Sequence, residues 1–281
     1  MTMNKEKRMK KLSVLIRTLM MFLVSAFMIL PFLWMFATSH RAPAESFALP
    51  PSFFVTEFKW QNYVDVIQKL NFFDFVKNSF IVSVSALVIQ LVVSCFAAYA
   101  FSRIEFKFKN ILFVILLSGL MIPSQSIIIP NFMTLSRLKL IDTLWSLIVT
   151  QTYYPLGIFL LRQFMLTIPK SYDEAAYLDG ASKIQVLNHV IIPMSKAPIL
   201  VVVFMHFIST WNNFFGPMIF ISTNSKMTLP LGLTLLKGNM GATNLSLVMA
   251  GVILALIVPL MIYVVGQKHL MGGVMISGIK S

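Results

Sequence analysis

The chain has 281 residues, 57% of them hydrophobic and only 12% charged, with a mean hydropathy of +0.81. A soluble domain carries about 25% charged residues, so this composition excludes an ordinary water-soluble globule and points to lipid as the solvent. A lone cysteine, Cys95, excludes an intrachain disulfide and a thiolate zinc cluster, and the net charge of +13 is spread between long apolar runs, which fits a membrane charge bias better than a nucleic-acid-binding face.

Residues 1–13 read as a solvated cytoplasmic tail, with five Lys/Arg in the first 11 positions beside anionic lipid. The run "TLMMFLVSAFMILPFLWMF" follows. It exceeds the 7–15 residues of a signal-peptide core and is expected to be a retained anchor. Five further uncharged intervals come after it, each near the ~20 residues that a spanning helix needs. The pattern predicts an all-α membrane protein with six transmembrane helices near 14–36, 79–101, 110–131, 143–165, 199–221 and 246–266. Residues 14–266 then form one six-helix membrane domain, and 267–281 a second cytoplasmic tail.

With the N-terminus inside, the inner segments hold 15 Lys/Arg in 76 residues and the outer segments 8 in 73. This bias places both termini in the cytoplasm. The Phe-rich outer segment 43–75 is expected to hold an interfacial element and a short amphipathic helix near 60–70, serving as a lid or as part of a docking face. In "MIPSQSIIIP" (121–130), Pro123 and Pro130 flank polar residues and suggest a broken helix, tolerated only against protein or water. Pro31, Pro155 and Pro259 are read as kinks.

The loop 167–198 has a different character. Its stretch "SYDEAAYLDGASKIQVLNHVIIPMSKAP" holds three of the ten acidic residues. Ser171 with Glu174 fits a capping box, and Asp173 and Glu174 suit the positive end of the helix dipole. Gly180 is expected to end this helix in a left-handed turn, and a second helix to start near Ser182 and yield near Pro193. Two short helices meeting at a glycine make a rigid knob on the cytoplasmic face.

Polar residues inside the apolar spans are either helix–helix glue or the lining of a solute path. Gln125, Gln151, Tyr154, His206, Trp211, Asn212 and Asn213 are the candidates for a path. Amides bond hydroxyls and aromatic faces pack on sugar rings. "STWNN" places two amides beside an indole, while His206 also fits a packed, hydrogen-bonded core residue.

The stretch "EAAYLDGA", followed by "VIIP", resembles the EAA motif of bacterial ABC importer permeases, with Glu174, Ala175, Ala176, Gly180, Val190, Ile192 and Pro193 on its positions. "NSFIVSVSALVIQLVVSCFAAYAFSR", "MIPSQSIIIP", "WNNFFGPMIFIS" and the tail "GGVMISGIKS" are similar to the MalG-like permeases of the carbohydrate branch. The resemblance implies a subunit of an ATP-driven, binding-protein-dependent sugar importer in a bacterial cell membrane. Its partners would be a second permease, two ATPase subunits carrying ATP and Mg, and an extracellular sugar-binding protein. It also implies that Glu174, Ala175, Ala176, Tyr177, Asp179, Gly180 and Ala181 form a coupling helix for the ATPase. In the maltose system the sugar sits mainly in the other permease, so this chain would contact it less.

No phosphate-loop sequence, H-E-x-x-H or G-x-S-x-G occurs, so no catalytic residue, bound cofactor or metal site is expected. No Asp or Glu lies in the predicted spans, which disfavours the alternative of a stand-alone secondary transporter or channel. An intramembrane enzyme lacks a recognisable catalytic constellation.

Overall fold

The computed structural model describes residues 2–42, 55, 57–237 and 244–277, and every regular element among them is helical. Most of the expected interfacial element (43–54) and the last four residues of the glycine-rich tail lie outside the described residues. The described residues fall into two compact units. One runs up to Lys69 and adds Leu236–Leu254; the other is Leu70–Leu235 with the residues from Ala255 onward.

In the first unit, α1 runs from Thr2 to Ser39, so the tail expected to precede the first span is already helical, and Pro31 sits inside the helix. Helix α2 (Gln61–Lys69) is the amphipathic helix expected near 60–70. It is fastened to the end of α1 by Asn62, whose amide donates to Ser39 O at 2.8 Å and Arg41 O at 3.0 Å. Buried His40 lies among the rings of Phe36, Phe58, Trp60 and Tyr63.

The second unit is built around α3 (Phe72–Arg103), which starts earlier than the expected span. Helix α4 (Lys109–Ser118) continues as a 3₁₀ turn to Met121 and then stops. Helix α5 (Ile128–Arg137) begins only after a turn. The third apolar interval is therefore two helices and a break. Pro123 offers no N–H to continue α4 and biases Ile122 to the extended conformation it adopts. Pro130 falls in the first turn of α5, where no N–H is needed.

Proline governs the fourth interval in the same way. Helix α6 (Leu144–Gln151) breaks at Thr152–Tyr154, and α7 (Pro155–Thr167) restarts with Pro155 at its first position. The loop helices α8 (Ser171–Leu178), α9 (Lys183–Val186) and α10 (Ile192–Met194) lead into α11 (Lys196–Trp211). The fifth interval also departs from one helix: α11 ends at Trp211 and α12 (Phe215–Phe220) begins after a gap, its Gly216 N–H bonded to Asn213 Oδ1 at 3.2 Å. Helix α13 (Leu229–Gly232) follows, and α14 (Leu245–Ser277) runs through Pro259 and well past residue 266.

By length and composition four helical runs can cross a membrane: α1 from Lys11, α3, α6 with α7, and α14 to Lys268. The segments Lys183–Met194 and Lys196–Trp211, bent by 81° to each other, make a fifth when taken together. At 1.5 Å per residue, Lys109–Met121 reaches only about 20 Å of the ~30 Å hydrocarbon core. Six continuous spanning helices are thus not found among the described residues.

Close approach of three helices rests on one glycine. A Cβ on Gly157 of α7 would come within 2.7 Å of Gln90 Nε2 on α3 and 3.0 Å of Val202 Cγ1 on α11. The core there contains Cys95, Ala98, Tyr99, Leu161, Met165, Val186, Ile191 and Val202, so Cys95 is the packing residue its apolar setting suggested.

At the other end of α3, Asp142 ties the α5–α6 corner to the segment after α12. Its carboxylate accepts from the Ser222 and Thr223 amides at 3.0 and 2.9 Å, from Thr223 Oγ1 at 2.6 Å and from Lys226 Nζ at 3.1 Å. These donors, the Thr223 hydroxyl foremost, hold the Asp142 pKa well below the ordinary carboxylate range. Asp142 adopts φ +56°, a left-handed conformation that aspartate tolerates better than most residues.

Candidate functional site

Two places in the second unit gather the residues singled out in the sequence. The first is the knob of α8 and α9. Helix α8 starts without a side-chain cap, so the box expected between Ser171 and Glu174 is absent. Ser171 is already the first helical residue, one position too late for its hydroxyl to cap. The capping box sits instead on α9, where Ser182 Oγ accepts from Gln185 N at 3.4 Å and Gln185 Oε1 accepts from Ser182 N at 2.8 Å.

The glycine reading holds. Gly180 has φ +82°, its N–H reaches Tyr177 O at 3.0 Å, and Ala181 N–H reaches Ala176 O at 2.9 Å. This is the paired bonding of a Schellman terminus. Ser182 opens the second helix as expected. Near Pro193 the helix first widens into a π turn (Leu187–Ile191), then breaks at Ser195. A proline with no N–H to give accounts for both.

The knob has two faces. Glu174, Ala175, Tyr177, Asp179 and Gly180 are exposed, and Leu178 is 90% exposed at the tip. No side-chain hydrogen bond or ion pair of Glu174 is found among the described residues. Ala176 and Ala181 turn the other way and pack on the α3–α7 core, so only Ala175 of the alanine pair lies on the open surface. Asp173 is also inward, 3.2 Å from Arg103 Nε. Its burial raises its pKa above the ordinary value, with Glu174 adding to the shift and Arg103 and Lys170 opposing it.

The second place is a cavity of about 280 Å³ at the breaks in the broken helices. Gln125, Gln151 and Asn213 line it, joined by Ser124, Asn131, Thr150 and Ser209. Among the described residues no charged side chain lines it. The turn before α5, the end of α6 and the gap before α12 all contribute to it, so positions distant in sequence share one wall. Tyr154, His206, Trp211 and Asn212 are not in that wall. His206 is buried, with Nε2 2.8 Å from Gln151 O and Tyr154 edge-on at 5.0 Å, which is the packed reading of that histidine. Trp211 is buried against Phe207, with ring centroids 5.7 Å apart, and Asn212 is exposed at the end of α11.

Sequence reading missed Arg103, Asp142 and Asn131. A lone cation bordering an apolar run reads as a topological marker, and a lone acid in a loop reads as solvated. Neither carries a signal of its partner, which lies about 70–80 residues away in each case.

A broken-helix bundle with a polar cavity and a two-faced helical knob between α7 and α11 can be compared with known proteins. The family described as binding-protein-dependent transport system inner membrane component matches residues 90–271. The chain belongs to this family. The permease is 29% identical over 285 residues to the trehalose/maltose transport system permease protein MalG of Thermococcus litoralis, covering 98% of this chain and 99% of that one. It is 30% identical over 230 residues to the osmoprotective compounds uptake permease protein GgtD of a Synechocystis strain, covering 81% and 77%. In fold, the permease is like a chain in the crystal structure of a bacterial ABC transporter involved in the import of the acidic polysaccharide alginate. The TM-score is 0.78 at 21% identity, over 92% of this chain and 96% of that one. The permease is a multi-pass membrane component of a binding-protein-dependent ABC importer, a transport subunit some of whose relatives carry sugar-related names.

Proposed function

We propose that this permease is one of two membrane halves of an ATP-driven importer for neutral sugars, oligosaccharides among them. ATP and Mg act in two separate ATPase subunits, and an extracellular binding protein delivers the sugar. Both termini and the α8–α9 knob face the cytoplasm, as the 15-to-8 charge bias supports. The exposed face of α8 meets the ATPase, whose closure moves the helices and opens the path to the other side. Residues Glu174, Ala175, Tyr177 and Asp179 make the contact, and Gly180 sets its angle.

The observation that carries the sugar reading is the cavity wall. Amides of Gln125, Asn131, Gln151 and Asn213 and hydroxyls of Ser124, Thr150 and Ser209 converge with no charge among them. Such a wall can exchange hydrogen bonds with a hydroxyl-rich neutral solute. It offers no cation to an acidic sugar, and no carboxylate to a coupling proton or sodium ion.

Reconstituted uptake of labelled sugar tests this. Gln151→Ala is expected to lower uptake several-fold at low sugar concentration, with all subunits still copurifying, because among the described residues its side-chain amide has no hydrogen-bond partner, while the backbone oxygen that meets His206 is kept. Asn212→Ala, outside the wall, is expected to leave uptake near wild type. Equal effects of the two, or none from Gln151→Ala, would contradict the cavity as the path.

A further inference from the structure

The C-terminal end of α3 grips the knob through side chains that the coupling reading leaves unused. Arg103 closes α3, and its side chain is only 5% exposed, facing Asp173 at 10%. Its Nε lies 3.2 Å from Asp173 Oδ2, and its Nη2 donates at 2.8 Å to Ile168 O, in the short link into α8. One turn earlier, Tyr99 Oη lies 3.4 Å from Tyr177 Oη. Ala176 and Ala181 pack on the same end of α3.

A buried ion pair is a poor device for stability, because desolvation offsets much of the attraction. The imperfection is visible here: Arg103 Nε and Asp173 Oδ1 both lack a hydrogen-bond partner among the described residues. Two apolar side chains would fill this space with less desolvation. What they would not supply is direction. A planar guanidinium held at two points admits one orientation of α8 against α3.

The covalent route out of the knob is less direct. Between α9 and α11 the chain passes a π turn and an 81° bend.

We propose that Arg103 and Asp173 are positioning residues that lock α8 to α3, so that the coupling helix and this long span move as one body. Force applied to the exposed face of α8 then enters the bundle through α3, ahead of α7 and α11. The inference rests on the reading of α8 as the ATPase-facing helix.

The test uses the assembled importer with Arg103→Gln, Asp173→Asn and Arg103→Lys. Amide exchange over residues 171–178 is expected to quicken at least tenfold in the first two, with the middle of α3 unchanged. In complexes that still copurify, the ATP hydrolysed per sugar imported is expected to rise several-fold. Arg103→Lys, which keeps the charge without the fork, is expected to fall between. A pair that only supports the fold would lower the yield of complex and leave that ratio alone. That result, or unchanged exchange over 171–178, overturns the lock. A wild-type complex that imports no sugar on ATP contradicts the transport reading instead, and the exchange measurement still decides the lock.

Discussion

Gly180→Val is expected to cut ATP-driven uptake by more than tenfold while leaving the ATPase activity of the isolated partner subunits intact. Gly180 has φ +82°, and nothing lies within 4 Å of where its Cβ would stand. The penalty is therefore backbone strain, not collision. For an ordinary residue the left-handed conformation costs about 1–2 kcal/mol, a factor of roughly 5–30 in the population of the correct turn, and β-branching adds to it. The Gly180→Tyr177 and Ala181→Ala176 bonds that set the angle between α8 and α9 depend on this turn. Gly180→Asn tolerates the conformation and is expected to keep most of the activity. Uptake assays of the two variants separate angle from bulk, because a Cβ at 180 meets no atom of this chain within 4 Å. Equal loss in both would mean that the surface at 180 matters and its backbone does not.

Gly232→Ala is expected to be the most destabilising methyl-sized change in the second unit. A Cβ there would overlap the Phe75 ring, which is 1% exposed on α3 and has nowhere to swing. Overpacking of this kind costs about 1–3 kcal/mol, occasionally more. The melting temperature of the purified complex should fall by several degrees, and Phe75→Leu added to Gly232→Ala should recover part of the loss. An unchanged melting temperature in the single variant would mean that α13 can lift from α3 without penalty.

The contrast between these glycines shows what a sequence can carry. Gly180 was legible because the signal is local: acidic residues, two alanines, a glycine and a second helix start describe one turn and its exit. Gly232 was silent because its reason is the Phe75 ring more than 150 positions earlier. The apolar intervals revealed the helical membrane class at once, since each needs only its own composition. Their interruptions were harder to place. Pro123 and Pro130 announced a break, yet the gap at Asn212–Phe214 has no proline before Pro217 and reads as continuous.

The cavity follows the same logic. Gln125, Gln151 and Asn213 were identifiable as polar residues in apolar runs, and the structure brings those three to one wall. Trp211 and Asn212 share the short stretch with Asn213, but the helix ends at Trp211 and the chain turns there, so the three do not share a face. Trp211 points into the core and Asn212 away from it. The capping box was misplaced by a pattern that occurs twice in the loop. Ser171–Glu174 and Ser182–Gln185 both have the spacing, and only the backbone at each serine distinguishes them: Ser182 is extended, with ψ 162°, whereas Ser171 is helical.

The central claim is that the exposed face of α8 docks on the ATPase. A photo-crosslinking residue at Leu178, 90% exposed at the tip of the knob, tests it in the intact complex. The account predicts a crosslink to the ATPase subunit, strong in the assembled importer and lost when the ATPases are stripped from the membrane. A crosslink to the extracellular binding protein, or to lipid alone with the ATPases bound, would contradict it.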